Sequence, residues 1–220
     1  MSKSLPLPDN VTVFPTDKPD TAFLKDLDVA VHGQGFAHRE VREDLSASYP
    51  SPRSGSFNVG LLHTSADGRA GHEPYAPSSV AGLVSRGYDY WALGHVHESE
   101  ILHERPWVVF PGNIQGRHIR ETGPKGCLLV TVESGAVESV EQKPLDVMRW
   151  ASCPVDAGGL ENADLLLDRV ETEIFRLLDE ADGRPVAVRF YDLREFAGAR
   201  RVRRPAATLD GAGSGTSQRR

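Results

Sequence analysis

The sequence has little cysteine and no long apolar run, and both absences narrow the kinds of protein it can encode. Cys127 and Cys153 are the only cysteines among 220 residues, and their spacing matches no cysteine-based metal motif. A disulfide-built secreted fold is therefore excluded, and both thiols are expected as small core residues of a protein from the reducing cytoplasm. No apolar stretch approaches the roughly 20 residues of a membrane-spanning helix and no signal peptide opens the chain, so we expect no membrane partner.

Basic residues are also few relative to acidic ones. The chain has 25 Lys and Arg against 31 Asp and Glu, which gives a net charge of −6. Proteins that bind nucleic acid through charge alone are normally basic. The balance therefore fits either a protein in which metal ions meet the phosphates or a protein with no nucleic-acid role. A hydrophobic content of 39% indicates a globular body, and 21 glycines with 15 prolines indicate many turns.

Histidines follow directly on two short apolar segments. Residues 88–93 read as an aromatic-rich strand, and Gly94-His95-Val96-His97 comes straight after it. Phe57–His63 is a second strand that also ends on histidine. Residues 77–86 have the apolar spacing of a helix, which allows a crossover between two parallel strands. Ligands collect at the carboxyl ends of such strands, so the three histidines predict a metal site, although a lone His-x-His is also common as a plain polar pair.

Several longer strings resemble one known family. A strand ending in Leu-Leu-His, followed further along by Gly-His-Val-His, resembles the last two motifs of the calcineurin-like metallophosphoesterases. More narrowly, the chain resembles the SbcD/YhaO-type bacterial DNA repair exonucleases in four strings that occur in order, at 32–36, 72–77, 88–97 and 110–118. The resemblance implies an α/β (α+β) fold. It implies the C-terminal portion of a four-layer α-β-β-α sandwich, followed by the start of a small α/β capping domain.

The resemblance also implies a site with two divalent metal ions, with Mn²⁺ as the expected metal. In it, His63 and His95 would ligate the second ion and His97 the first. The family's earlier motifs, Asp-x-His, Gly-Asp and Gly-Asn-His, are absent, and Gly112-Asn113 is followed by Ile114 instead of histidine. The catalytic residues are therefore unknown, because the family places them in those motifs. We expect that this chain is the C-terminal portion of a phosphoesterase from a truncated or miscalled gene. We also expect it to bind metal weakly and to have little hydrolytic activity.

A basic cluster that follows the apolar strands is the candidate contact for a phosphate. Arg117 and His118, together with Arg120 and Lys125, form this cluster, and arginine grips phosphate through a planar fork of donors. A solvated hairpin explains the cluster equally well. Tyr75, in a loop between two prolines, is a candidate to stack on a nucleic-acid base.

The chain divides into three predicted parts. Residues 1–150 form the partial metallophosphoesterase domain, with early strands at 11–14 and 27–32 and an outer-sheet meander that continues through 145–150. Residues 151–190 begin the capping domain, with an amphipathic helix at 161–181 and a strand at 185–190. Residues 191–220 are basic, glycine-rich and too poor in apolar side chains to fold, so we expect a disordered tail.

Two functions from different classes follow from these patterns. The first is a metal-dependent phosphodiesterase, a hydrolase of the DNA repair exonuclease type. The second is a non-catalytic remnant or binding module for DNA or for a coiled-coil ATPase of the kind the family works with. Manganese-dependent cleavage of a bis-aryl phosphodiester separates the two. A single zinc held by all three imidazoles is a third reading, and a homodimer is left open.

Overall fold

The computed structural model describes residues 7–36, 38, 41–66 and 76–191, and these form a mixed α/β fold of the predicted class. The largest sheet has six strands in the order β1-β2-β3-β4-β6-β5, and two further sheets have two strands each. The strands are β1 (Asp20–Leu24), β2 (Val29–Gly33), β3 (Phe57–His63), β4 (Tyr90–Gly94), β5 (Ser99–Glu104), β6 (Trp107–Pro111), β7 (Gly126–Glu133), β8 (Ala136–Pro144), β9 (Arg149–Pro154) and β10 (Val186–Tyr191). The α-helices are α1 (Val80–Ser85) and α2 (Ala163–Glu180), and short 3-10 turns lie at Lys25–Leu27 and Leu45–Ser48.

Four parallel strands form the centre of the six-stranded sheet. β2, β3, β4 and β6 are neighbours in parallel, and the antiparallel strands β1 and β5 form its edges. The crossover helix α1 connects β3 to β4, as the sequence predicts, and the Ser79 hydroxyl caps it by accepting a hydrogen bond from Gly82 N at 3.0 Å. Because the strands are parallel, their carboxyl ends lie side by side, and His63 pairs with Gly94 in the register.

One face of this sheet packs against α1 around Trp91. Its side chain is fully buried, its Nε1 donates to the Leu83 carbonyl at 3.0 Å, and its ring stacks on Tyr88 with centroids 4.9 Å apart. Gly60 on β3 makes room for the indole, since a Cβ there would lie 2.3 Å from Trp91 Cε3. This packing fixes the position of β3 relative to β4. The histidines at the ends of the two strands are therefore also fixed relative to each other.

Strands β7 and β8 form the predicted antiparallel hairpin as a sheet of their own. The prediction that residues 145–150 continue this sheet is wrong. The chain leaves the hairpin at Pro144, and Arg149 begins β9, which pairs in parallel with β10. The turn is held by the buried Asp146 carboxylate, which accepts a hydrogen bond from Arg149 Nε at 3.0 Å and lies 3.5 Å from Arg184 Nε. The alternation of apolar residues suggests a strand in this segment, but the buried ion pair holds the backbone in a turn instead.

The second unit consists of β9, α2 and β10. Asn162 caps helix α2, since its Oδ1 accepts a hydrogen bond from Leu165 N at 3.0 Å, and the buried Leu166 of the helix packs against Cys153 and Val155. The predicted helix at 161–181 and strand at 185–190 are both confirmed. Cys153 is a buried core residue, as expected, whereas Cys127 on β7 is only partly buried, so the expectation for it is wrong.

Two predictions for the first 40 residues are wrong in detail. Residues 11–14 are not in a strand; Phe14 instead packs over Gly33, where an added Cβ would lie 2.5 Å from its ring. The edge strand is β1, and β2 begins only at Val29, because the preceding turn ends at Asp28 with a φ of 50°. Tyr75 and residues 192–220 lie outside the described residues. None of the helices in the described part of the chain combines the length and apolar character needed to cross a bilayer.

Candidate metal and phosphate site

The predicted histidines meet at the carboxyl edge of the parallel strands. His63 is the last residue of β3, and His95 follows Gly94, the last residue of β4. The two strand ends are tied together by a hydrogen bond from Thr64 N to the Gly94 carbonyl at 3.0 Å. Gly94 has no side chain to separate the strands, and a Cβ there would lie 3.0 Å from His63 Nδ1. His95 then adopts a positive φ of 117°, an unusual conformation for a non-glycine residue and one often found at functional sites.

The imidazoles of His63 and His95 are in direct contact. His95 Nδ1 lies 3.3 Å from His63 Nε2, and the two rings meet edge to face with centroids 5.2 Å apart. Phe36 contacts His63 edge to face from another direction, at 5.4 Å. Desolvation, with a smaller repulsion from His97, lowers the pKa of His63. The ring is therefore neutral at physiological pH, which is the form that binds metal ions.

His97 has a different partner, the carboxylate of Glu121. His97 Nδ1 lies 2.6 Å from Glu121 Oε1, and the Glu121 side chain is only 7% exposed. Its Oε2 accepts hydrogen bonds from Arg117 N at 2.8 Å and from Asn113 Nδ2 at 3.1 Å. Burial alone would raise the pKa of Glu121, but the Arg117 amide, His97 and the nearby His118 together lower it to about 2. The carboxylate is therefore ionised across the physiological range.

The loop that carries Glu121, residues 112–125, is fastened at both of its sides. The loop starts at Gly112, which has a positive φ of 78°. A Cβ at this position would lie only 2.9 Å from the backbone nitrogen of Ser99, so the loop passes close to that residue. On the other side, Trp150 Nε1 donates to the Gly116 carbonyl at 2.9 Å, and Gly123 N donates to the Trp150 carbonyl at 3.2 Å. The loop is thus packed against the start of β5 and hydrogen-bonded to β9 at the same time.

The strand ends and this loop enclose an open cleft of about 690 Å³. Lys125 Nζ donates to the His97 carbonyl at 3.4 Å, and His118 Nε2 lies 3.5 Å from Glu121 Oε1. Arg117 is 66% exposed and places Nη2 3.6 Å from the same carboxylate oxygen. Three imidazoles, further basic groups and one buried carboxylate therefore share one concave surface. Its lining residues are His63, His95, Val96, His97, Glu98, His118, Arg120, Glu121, Thr122 and Lys125.

The donor set fits part of a metal site. Two nitrogens bound to one ion at about 2.1 Å with angles between octahedral and tetrahedral lie roughly 3.0–3.4 Å apart, and the His63–His95 separation of 3.3 Å falls in that interval. Across residues 7–36, 38, 41–66 and 76–191, no group of three or more His, Cys, Asp and Glu side chains is arranged to hold one metal ion. The described residues therefore do not assemble the single zinc site with three imidazoles that the sequence left open.

Sequence reasoning located the histidines and the basic cluster but missed Glu121 and the role of Asn113. The structure brings His63, His95, His97, Arg117 and His118 to one edge of the sheet, whereas Tyr75 lies outside the described residues. The available signal for Glu121 was its place, four residues after Arg117 in a cluster otherwise made of basic groups. A single carboxylate within a basic cluster is expected to pair with the neighbouring basic side chains.

Comparison with known proteins identifies the family. Residues 150–191 match the family model of the metallophosphoesterase YhaO middle domain. The chain is 36% identical over 207 residues to a protein of Bacillus subtilis (strain 168) named "Uncharacterized metallophosphoesterase YhaO", an alignment that covers 92% of this chain and 50% of the relative. The chain thus spans about half the length of the curated relative it matches. It belongs to the YhaO-type metallophosphoesterases.

Proposed function

We propose that this chain supplies one wall of a metal-dependent phosphodiesterase site of the DNA repair exonuclease type, which hydrolyses phosphodiester bonds in DNA. The observation that carries the proposal is the meeting of His63, His95 and His97 with basic groups around one cleft at the carboxyl edge of a parallel sheet. Hydrolysis of a phosphodiester requires cations that bind its oxygens and side chains that hold metal cations in place. This surface offers both kinds of group. The activity, substrate and partners of the whole protein are part of the proposal.

The described residues divide into two roles. His63 and His95 would hold one divalent ion, and His97 would contribute to a second; Mn²⁺ is the expected metal. Such ions would supply an activated hydroxide and neutralise charge on the phosphate. The protein's own cations would hold the substrate: Lys125 and His118 line the cleft, and the Arg117 guanidinium is exposed beside it.

DNA is the proposed substrate because the cleft gathers cations and imidazoles on a protein that is acidic overall. The whole protein has a net charge of −6, yet four of the residues that line the cleft are histidines and two more are Arg120 and Lys125. The acids on that surface are Glu98 and Glu121. The lining thus balances two cations against two carboxylates, and the exposed Arg117 lies beside it, so this surface repels a polyanion less than the rest of an acidic protein does.

The direct test is hydrolysis of bis(p-nitrophenyl) phosphate by the purified chain, with and without Mn²⁺. We expect slow Mn²⁺-dependent turnover that is abolished in His97→Ala. The matched control is His103→Ala, which removes an imidazole whose Nδ1 contacts the Pro106 carbonyl at the edge strand β5. Equal loss in both variants, or turnover that ignores the metal, would count against the proposed site.

A binding function without catalysis is the second candidate, because the described residues contain no cluster of three metal ligands. In that case the chain binds single-stranded DNA but hydrolyses neither DNA nor the aryl diester at any Mn²⁺ concentration. The variant Lys125→Gln should weaken DNA binding and reduce the salt dependence by about one counterion. Lys143→Gln, on the hairpin strand β8 beside Glu141, should leave binding unchanged. A coiled-coil ATPase partner, a homodimer and a cytoplasmic location stay predictions.

A further inference from the structure

The carboxylate of Glu121 has only hydrogen-bond donors around it. Asn113 Nδ2 and the Arg117 backbone amide both point at Oε2, at 3.1 and 2.8 Å. The other oxygen, Oε1, lies 2.6 Å from His97 Nδ1. A side chain that is 7% exposed and surrounded by donors is held in one orientation, because any rotation would leave buried polar atoms unpaired.

This arrangement decides which nitrogen of His97 carries the proton. An ionised carboxylate only accepts hydrogen bonds, so the contact of 2.6 Å requires a proton on Nδ1. Arg117 Nη2 also lies 3.3 Å from Nδ1, but a guanidinium is a donor and cannot bond to a protonated nitrogen. Its position there is explained by Glu121 Oε1, which is 3.6 Å away. Neutral His97 is therefore the Nδ1–H tautomer, with the lone pair on Nε2.

We propose that Glu121 is a positioning residue that fixes the tautomer and ring orientation of His97, so that Nε2 is the nitrogen available to a metal ion in the cleft. The inference rests on the proposed function for its purpose, while the tautomer itself is a property of the metal-free chain. Carboxylate–histidine pairs of this geometry set the tautomer of metal-binding imidazoles and raise their basicity. Asn113 and the Arg117 amide act through Glu121, since they hold the carboxylate in place.

The substitution Glu121→Gln makes a sharp test because it reverses the sense of one hydrogen bond. The glutamine oxygen is needed by Arg117 N and Asn113 Nδ2, so the NH₂ group must take the position facing His97. An amide NH₂ donates, and His97 Nδ1 must then accept, which moves the proton to Nε2. The variant Glu98→Gln is the matched control: it removes the same charge from the same cleft lining and should leave the His97 tautomer as it is.

The measurement is the pair of imidazole ¹⁵N shifts of His97 in histidine-labelled, metal-free protein at a pH where the ring is neutral. The spectrum holds eight histidines, and His97→Asn assigns the signal. We expect Nδ1–H in the wild type and in Glu98→Gln, and Nε2–H in Glu121→Gln. An Nε2–H tautomer in the wild type overturns the inference.

Calorimetric titration with Mn²⁺ then separates this inference from the proposed function. If the wild type binds Mn²⁺, Glu121→Gln should bind it about 10- to 100-fold more weakly, a loss typical of such carboxylate partners, and Glu98→Gln should lose less. If the tautomers behave as expected but no protein binds metal, the positioning of His97 stands and the proposed phosphodiesterase fails. If the wild type binds metal with His97 as the Nε2–H tautomer, the phosphodiesterase survives and the role of Glu121 is refuted.

Discussion

Replacing Glu121 by glutamine should destabilise the protein at neutral pH and should cease to do so in acid. The folded protein lowers the pKa of this carboxyl from 4.5 to about 2, a difference equivalent to on the order of 3 kcal/mol. Because the folded-state pKa lies below the unfolded one, the contribution is fully present above about pH 4.5. It declines as the pH falls and is lost once the pH passes through the folded pKa near 2. Glutamine carries no charge, so the Glu121→Gln variant lacks this contribution to its free energy of unfolding at every pH.

Urea unfolding followed by tryptophan fluorescence measures the difference between wild type and Glu121→Gln. We expect up to about 3 kcal/mol at pH 7 and a difference that shrinks steadily between pH 4.5 and pH 2. The control is Glu141→Gln, in an exposed pair with Lys143 on β8, where solvent screens the charge and we expect little change. A gap between wild type and Glu121→Gln that is the same at pH 7 and pH 3 would refute the assignment of the charge-dependent contacts.

Three substitutions away from the cleft test the packing that positions it, each by urea unfolding at pH 7. Trp91→Phe should cost about 2 kcal/mol, because it shrinks a fully buried ring and removes the indole donor from the Leu83 carbonyl, which keeps only the bond from Arg86 N; retention of full stability would contradict the packing around that ring. Gly60→Ala should cost about 1–3 kcal/mol by pushing against the Trp91 ring, and the loss should be smaller in a Trp91→Phe background; strict additivity would argue against the contact. Asp146→Ala should cost about 3–5 kcal/mol, because it leaves Arg149 partly buried without its carboxylate; a neutral outcome would show that solvent reaches the pair.

The sequence could place His63 and His95 at the ends of two strands because the signal was local. A short apolar run followed by Gly-His-x-His fixes both a strand and the side on which its histidines emerge, and the register pair of His63 with Gly94 follows from a parallel crossover. The helix α2 was predictable for a similar reason: its apolar spacing and its Asn162 cap lie within one continuous segment.

The rest depended on contacts between distant parts of the chain. Glu121 pairs with a histidine 24 residues earlier, and no periodicity records that. The edge strand β1 has two exposed and two half-exposed residues before an exposed Leu24, so it lacks the alternation that marks a strand. The turn at Asp146 results from an ion pair with Arg149 and Arg184, and the sequence alone reads the same segment as a further strand.

Trp150 joins the two units of the chain through both its side chain and its backbone. It is a residue of β9, yet its indole and its carbonyl hold Gly116 and Gly123, on either side of Glu121. A tilt of β9 relative to the six-stranded sheet must either carry the 112–125 loop with it or break these two bonds. The width of the cleft and the orientation of the second unit are therefore coupled for as long as both bonds hold.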